Sequence, residues 1–230
     1  MNFHSLRRSN LLVMHPDPIL CAGLVAALRQ HATFEVFVHG TDNVDMDGPP
    51  VDVVIADYPN AIRLTEAGAR GQLGLQGEPR ILALTPNDRE ADIRRAIEAG
   101  VYGYMLVGGS LDELIAGVKA VASGLRYMSV SVAQRMADSL TRASLTSREA
   151  EVLRLVATGQ PNKVIARELS IELGTVKSHV SAIMAKLGAT SRTQAARIAA
   201  SRGLVKEGVQ AEPETMPVRM RAAEPRLQYA

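Results

Sequence analysis

The 230-residue sequence predicts an α/β domain doubly wound around a five-stranded parallel sheet, followed by a smaller all-α segment punctuated as helix, turn, helix. Three observations carry this prediction. Between positions 11 and 106, short apolar runs alternate with helical patterns, as parallel strands covered on both faces require. From 145 to 205 strand-like runs give way to helix caps and turn residues. Charge divides at the same place: the net value is −4 over 1–141, +6 over 142–205 and 0 over 206–230. Cations gathered in a helical segment beside an acidic domain are the electrostatic footprint of a nucleic-acid-binding module.

The strand runs are LLVM, FEVFV, VDVVIAD, RILALT and YGYML, each bounded by turn residues. ILCAGLVAALRQH, NAIRLTEAGARGQL and DREADIRRAIEAG are the helical patterns between them, and SLDELIAGVKAVASG follows the fifth strand. TDNVDMDGPP, between the second and third strands, is too polar and too rich in Gly and Pro for an ordinary helix. SVSVAQRMADSLTRAS reads as a short helix and hinge, and the polar, Pro-containing end as a disordered tail. The expected boundaries are 9–128 for the α/β domain, 129–143 for the linker, 144–206 for the all-α domain and 207–230 for the tail.

A hydrophobic content of 47% supports two modest cores, and no apolar run approaches a membrane span. MNFHSLRRSN is basic, but the apolar stretch after it is too brief for a secretion signal, so a cytoplasmic protein without membrane contact is expected. The single cysteine, Cys21, excludes an internal disulfide and a thiolate metal cluster, and its apolar helical setting suits core or interface. No metal site and no cofactor is expected.

In the all-α segment, Thr146 with Glu149, and Ser191 with Gln194, have the spacing of capping boxes, so two helices start there. Gly159 can take positive φ after the first helix, and Pro161 suits the first turn of the next. Further on, Leu173, Val176, Val180, Ile183, Met184 and Leu187 form one apolar stripe that needs a partner. The opposite face holds Lys177, Ser178, Ser181 and, further along, Lys186, and it carries no acid. Such a face suits a major-groove helix, whose side chains must reach base edges without repelling phosphate; a plain solvated face is the competing reading.

LTSREAEVLRLVATG, NKVIARELSI, GTVKSHVSAIMAKLGA and SRTQAARIA stand in the order and spacing of the LuxR/FixJ (NarL-type) regulators, whose helix-turn-helix DNA-binding domain this segment resembles over about sixty residues. The resemblance implies base-edge contacts from Lys177, Ser178 and Ser181. It further implies phosphate contacts from Thr175, Lys163, Lys186 and Arg192, and dimer contacts from the last helix. Glu172 and Pro161 depart from the family pattern, standing where a Ser or Thr usually caps each helix of the pair.

The first domain resembles the flavodoxin-like receiver of two-component response regulators: HPDPILCAGL, VDVVIAD, ILALT, AGVYGYML and SGLRYMS all match in place. The resemblance makes Asp57 the position of a phosphoacceptor, Thr85 that of the hydroxyl that senses it, and Tyr104 that of the switch aromatic. Phosphorylation in this family needs an acidic pair for Mg²⁺ and a lysine for the phosphoryl oxygens. Here the pair falls on His15 and Pro16 and the lysine on Val107, while Asp17 is one place late. An uncompensated dianion at Asp57 would lack its usual counter-charges, so Asp57 reads better as a hydrogen-bonded or capping carboxylate and Tyr104 as packing.

The expected function is therefore a sequence-specific transcriptional regulator with an atypical receiver. It binds double-stranded DNA at an inverted repeat as a homodimer, works without phosphorylation, and is not an enzyme. A conventional regulator switched at Asp57 is the alternative, with a sensor kinase or other protein partner left open. A third reading is a receiver remodelled to bind a small ligand or partner protein near Tyr58 and Pro59. A haloacid-dehalogenase-like phosphotransferase would need an aspartate where Pro59 stands.

Overall fold

The computed structural model describes residues 8–40, 50–66, 71, 75 and 77–205. The TDNVDMDGPP stretch, apart from Pro50, and the tail lie outside the described residues. The chain runs β1 (Ser9–Met14), α1 (Pro18–Arg29), β2 (Phe34–Val38), β3 (Val53–Ala56), α2 (Tyr58–Thr65), β4 (Arg80–Thr85), α3 (Glu90–Glu98), β5 (Gly103–Leu106), α4 (Leu111–Ala122) and β6 (Tyr127–Met128). Five more helices follow: α5 (Val130–Leu140), α6 (Ser147–Ala157), α7 (Asn162–Glu168), α8 (Leu173–Leu187) and α9 (Arg192–Ser201).

The strands pair in the order β2-β1-β3-β4-β5-β6, all parallel. Side chains alternate across a strand, so β1 feeds two cores. Leu11 and Val13 join Leu24, Leu28, Val118 and Val121 beneath α1 and α4. Leu12 and Met14 join Ala61, Leu64, Ile93 and Ala96 beneath α2 and α3. A third core unites α6, α7, α8 and α9 through Leu153, Ile165, Val176, Ile183 and Ala199.

The sheet has one strand more than the five expected. Tyr127 and Met128 extend along β5, with Tyr127 N–H donating to Tyr102 O at 3.0 Å and Ser129 N–H to Tyr104 O at 3.1 Å. Two residues are too few for the alternation that reveals a strand in sequence. The linker after it is docked as well: α5 buries Val132 completely in the second core, and Arg135 pairs with Asp88 at 2.5 Å.

Helix ends follow the caps with two amendments. The Thr146–Glu149 box is complete, whereas Gln194 reaches back to Thr190 N–H at 2.7 Å and leaves Ser191 to cap alone. Pro161 stands at the N-cap of α7, one place before its first turn, and supplies no side-chain bond. In the predicted stripe of α8, Val176, Ile183 and Leu187 are buried, but Leu173 is exposed in the first turn.

The two halves meet where the start of α3 abuts the residues after α9. Ala91 N–H donates to Arg202 O at 3.0 Å, and Arg142 pairs with Glu90 at 3.0 Å. Gly203, at φ +72°, lies against Arg89 and Ala91.

Gly103 lets β5 approach its neighbours. A Cβ there would stand 2.4 Å from Leu82 Cδ1 and 2.9 Å from Val121 Cγ2, and Leu82 and Val121 are fully buried. Gly103→Ala should therefore lose about 1–3 kcal/mol through overpacking, read as a lower midpoint in urea unfolding of the α/β domain.

Candidate nucleic-acid interface

The helix-turn-helix is α7, the four residues from Leu169 to Glu172, and α8. Ser170 takes φ +53°, the one non-glycine in the left-handed region among the described residues, and this re-aims the chain into α8. Glu172 is the N-cap of α8 but makes no side-chain cap bond. The free amides of that first turn and the partial positive charge of the helix end therefore remain available to an anion.

Thr175, Lys177, Ser178 and Ser181 all lie on the exposed side of α8, and Lys163 is exposed on α7. Ser178 donates its hydroxyl to Gly174 O at 3.2 Å, which keeps its lone pairs outward. The spacing thus brings five of the seven expected DNA-contact residues to the surface of the helix pair.

The other two have internal partners. Lys186 Nζ lies 2.6 Å from Glu149 Oε2, and Glu149 is buried, its carboxylate also accepting from Thr146 N–H at 2.7 Å. The Lys186 ammonium and the Thr146 amide hold the Glu149 carboxyl below the usual carboxylate range. Arg192 donates to Asn162 Oδ1 at 2.9 Å and to Gln160 O, and burial lowers its pKa. These cations brace α8 against α6 and α9 against α7. Arg148, which no spacing in the sequence marks, donates to Leu169 O at 2.7 Å and to Glu151 at 2.6 Å.

The last helix turns part of its surface inward. Ala195 and Ala199 are buried within the third core, so they do not face a partner subunit. Thr193, Gln194, Arg197 and Ser201 are its exposed positions, with Ala196 half-buried beside them.

At the carboxyl edge of the sheet, Asp57 is the N-cap of α2: Oδ1 accepts from Asn60 N–H at 3.3 Å and from Asn60 Nδ2 at 2.6 Å. Asp17 caps α1 through Ile19 N–H at 2.9 Å and Leu20 N–H at 3.1 Å. His15 Nδ1 accepts from Asp17 N–H at 3.1 Å. Val107, at the lysine position, is 40% exposed and apolar.

Thr85 is buried and accepts from Asn87 N–H at 3.2 Å. Tyr104 is turned inward, donating to Asn87 O at 2.8 Å. Asn87 and Tyr58 both donate to Asp92, at 2.9 and 3.1 Å, and the two tyrosine rings meet edge to face at 6.4 Å. Burial, reinforced by Asp92, pushes the Tyr58 phenol up to about 12, and burial raises that of Tyr104 as well, so both donate as neutral phenols. Asn87 and Asp92 carried no signal in the sequence, because neither belongs to a spacing that names a role.

A parallel α/β domain with this carboxyl edge, joined to a helix-turn-helix with an exposed basic helix, is the architecture of a DNA-binding response regulator. Residues 143–199 match the family described as bacterial regulatory proteins, luxR family. The chain is 31% identical over 199 residues to the response regulator RamR of Streptomyces coelicolor, covering 84% of this chain and 96% of that protein. It is 32% identical over 194 residues to the transcriptional regulatory protein DesR of Bacillus subtilis, covering 81% and 94%. The solved structure of the two-component response regulator RcsB–DNA complex shares the fold, with a TM-score of 0.61 and 23% identity over 85% of this chain and 99% of that one. The chain belongs to the LuxR-family response regulators and is a DNA-binding transcription factor. Among the described residues no helix is long and apolar enough to cross a membrane.

The bond between Glu149 and Lys186 sets a pH dependence. A carboxyl lowered by folding contributes stability that is complete above its unfolded pKa of about 4.3 and is lost as pH falls through the folded value. Lys186→Ala should remove about 2 kcal/mol from the all-α domain at neutral pH. The difference from wild type should shrink below pH 4; an equal difference at every pH would mean that Lys186 contributes by packing alone.

Proposed function

We propose that this chain is a sequence-specific transcription regulator that reads an inverted repeat as a dimer and works without aspartyl phosphorylation. It is a binding protein of the cytoplasm and catalyses no reaction. The observation that carries the phosphorylation-independent reading is the commitment of the Asp17 carboxylate to the first turn of α1. That carboxylate was the one acid able to replace the missing pair, and its bonds to two amides hold it at the helix end. His15, Pro16 and Val107 supply no hard oxygen ligand and no lysine for a phosphoryl group.

Base contacts come from Lys177, Ser178 and Ser181, and phosphate contacts from Thr175, Lys163 and the open amides at the start of α8. Lys177→Ala should cost about 1–3 kcal/mol on the specific site and less on random DNA. Equal losses on both would reduce Lys177 to a phosphate contact. The exposed side of α9, around Thr193, Ala196 and Arg197, is the surface offered to a second copy, consistent with two half-sites about one helical turn apart. The DNA complex known for the similarly folded RcsB lends support to this docking.

Acetyl phosphate with Mg²⁺ should leave the intact mass unchanged, and Asp57→Asn should leave operator affinity within about twofold, well under the factor of ten that 1.4 kcal/mol represents. A gain of one phosphoryl group that vanishes in Asp57→Asn, with tighter operator binding, would establish the conventional phospho-switch instead.

A further inference from the structure

One apolar side chain of α8 is not used inside the protein. Leu173 is the first residue of the helix and is 37% exposed; among the described residues after Leu140 it is the one large apolar side chain left in solvent. Val176, Val180, Ile183, Met184 and Leu187 of the same helix lie in the third core or pack against it, and Leu173 does neither. A leucine exposed on the helix that faces DNA is stabilised by contact with an apolar group there.

Its place on the helix says where that group lies. Leu173, Lys177 and Ser181 are spaced by four, so they form one ridge along α8, and all three are exposed. Lys177 and Ser181 are side chains proposed for base edges, and Leu173 stands one turn ahead of them. Side chains of a helix lean toward its N-terminus, so Leu173 leads the ridge at the end from which a helix-turn-helix reads the major groove. Beside it, Gly174 has no side chain, and a Cβ there would meet nothing within 4 Å. The surface is open to close approach. Four residues of helix advance about 6 Å, roughly two base-pair steps.

Among the base edges of the major groove, the apolar group is the C5 methyl of thymine; the other positions are hydrogen-bond donors and acceptors. A leucine laid over a donor or acceptor strips it of water without replacing the bond, whereas over a methyl it removes apolar surface from water on both sides. We infer that Leu173 is a specificity-determining residue that packs on a thymine methyl about two base pairs from the pair contacted by Lys177. This rests on the reading of α8 as the base-contacting helix, and it adds to that reading the identity of one base in each half-site.

For the test, the full chain first selects its operator from random duplexes. In one half-site of that operator each thymine is replaced in turn by deoxyuridine, which lacks only the methyl group, and equilibrium binding of wild type and Leu173→Ala is compared. At one position the replacement should weaken the wild type about fourfold, as the loss of one buried methyl gives, and leave Leu173→Ala unchanged. A C·G pair at that position should regain the same factor for the wild type when its cytosine carries a 5-methyl group. Leu173→Ala should select an operator without preference for thymine there and with the other bases intact, while its thermal midpoint stays that of the wild type. Deoxyuridine that weakens no position, the same loss in both proteins at every position, or an unchanged selected operator in Leu173→Ala would each overturn the inference. A chain that selects no common sequence would instead overturn the base-reading role of α8, and the inference would fall with it.

Discussion

The DNA-binding half depends on one buried carboxylate. Glu149 lies in the first turn of α6, where it completes the cap with Thr146 and receives Lys186 from the far end of α8. A carboxylate at 6% exposure would be costly without such partners. With them it fixes the rotation and depth of α8 relative to α6. The apolar contacts of Val152, Leu153, Val176 and Ile183 bind these helices together, but apolar contact tolerates small rotations that a charge-assisted bond of defined direction does not. The proposed placing of Lys177, Ser178 and Ser181 against base edges needs that definition.

The receiver half shows the opposite use of carboxylates. Asp17 and Asp57 each satisfy the open amides of the helix that follows them, so charges that could hold a metal are turned toward helix ends. Around them a hydrogen-bond network has formed: Thr85, Asn87 and Tyr104 bond in sequence, and Asp92 joins Asn87 to Tyr58. With Tyr104 held inward and Ser129 N–H bonded to its carbonyl, the linker lies over the edge of β5 and α5 covers the second core. The aromatic residue and the linker thus share one rigid arrangement.

Much of this was legible in the sequence. β2 and β4 coincide with FEVFV and RILALT because apolar runs bounded by turn residues mark buried parallel strands. The Thr146–Glu149 cap was readable because its two members are three residues apart. What could not be read depends on partners far away in sequence. Lys186 carries the same charge whether it faces phosphate or a carboxylate 37 residues back, as does Arg192 whether it faces phosphate or the amide oxygen of Asn162, and only the fold decides. Nothing in the spacing of the last helix says that Ala195 and Ala199 turn into the core. His15 reads as a lost ligand; its unsatisfied nitrogen exists only once the loop to Asp17 has closed.

The joint between the halves differs in kind from the three cores. It rests on the Ala91–Arg202 backbone bond, the Arg142–Glu90 pair and the close approach of Gly203 to Arg89. Arg142 is 38% exposed at its side chain, and pairs open to water are worth about 0–1 kcal/mol. Among the described residues no buried apolar cluster spans the two halves, so relative motion of the two domains meets little resistance there. Its location matters more than its strength. The joint engages the end of α9 and leaves the exposed face of α8 open, so DNA can reach Lys177, Ser178 and Ser181 with the domains docked. Because α3 carries Glu90 and Ala91 at the joint and Asp92 in the Tyr58–Asn87 network, one short helix is a wall of both.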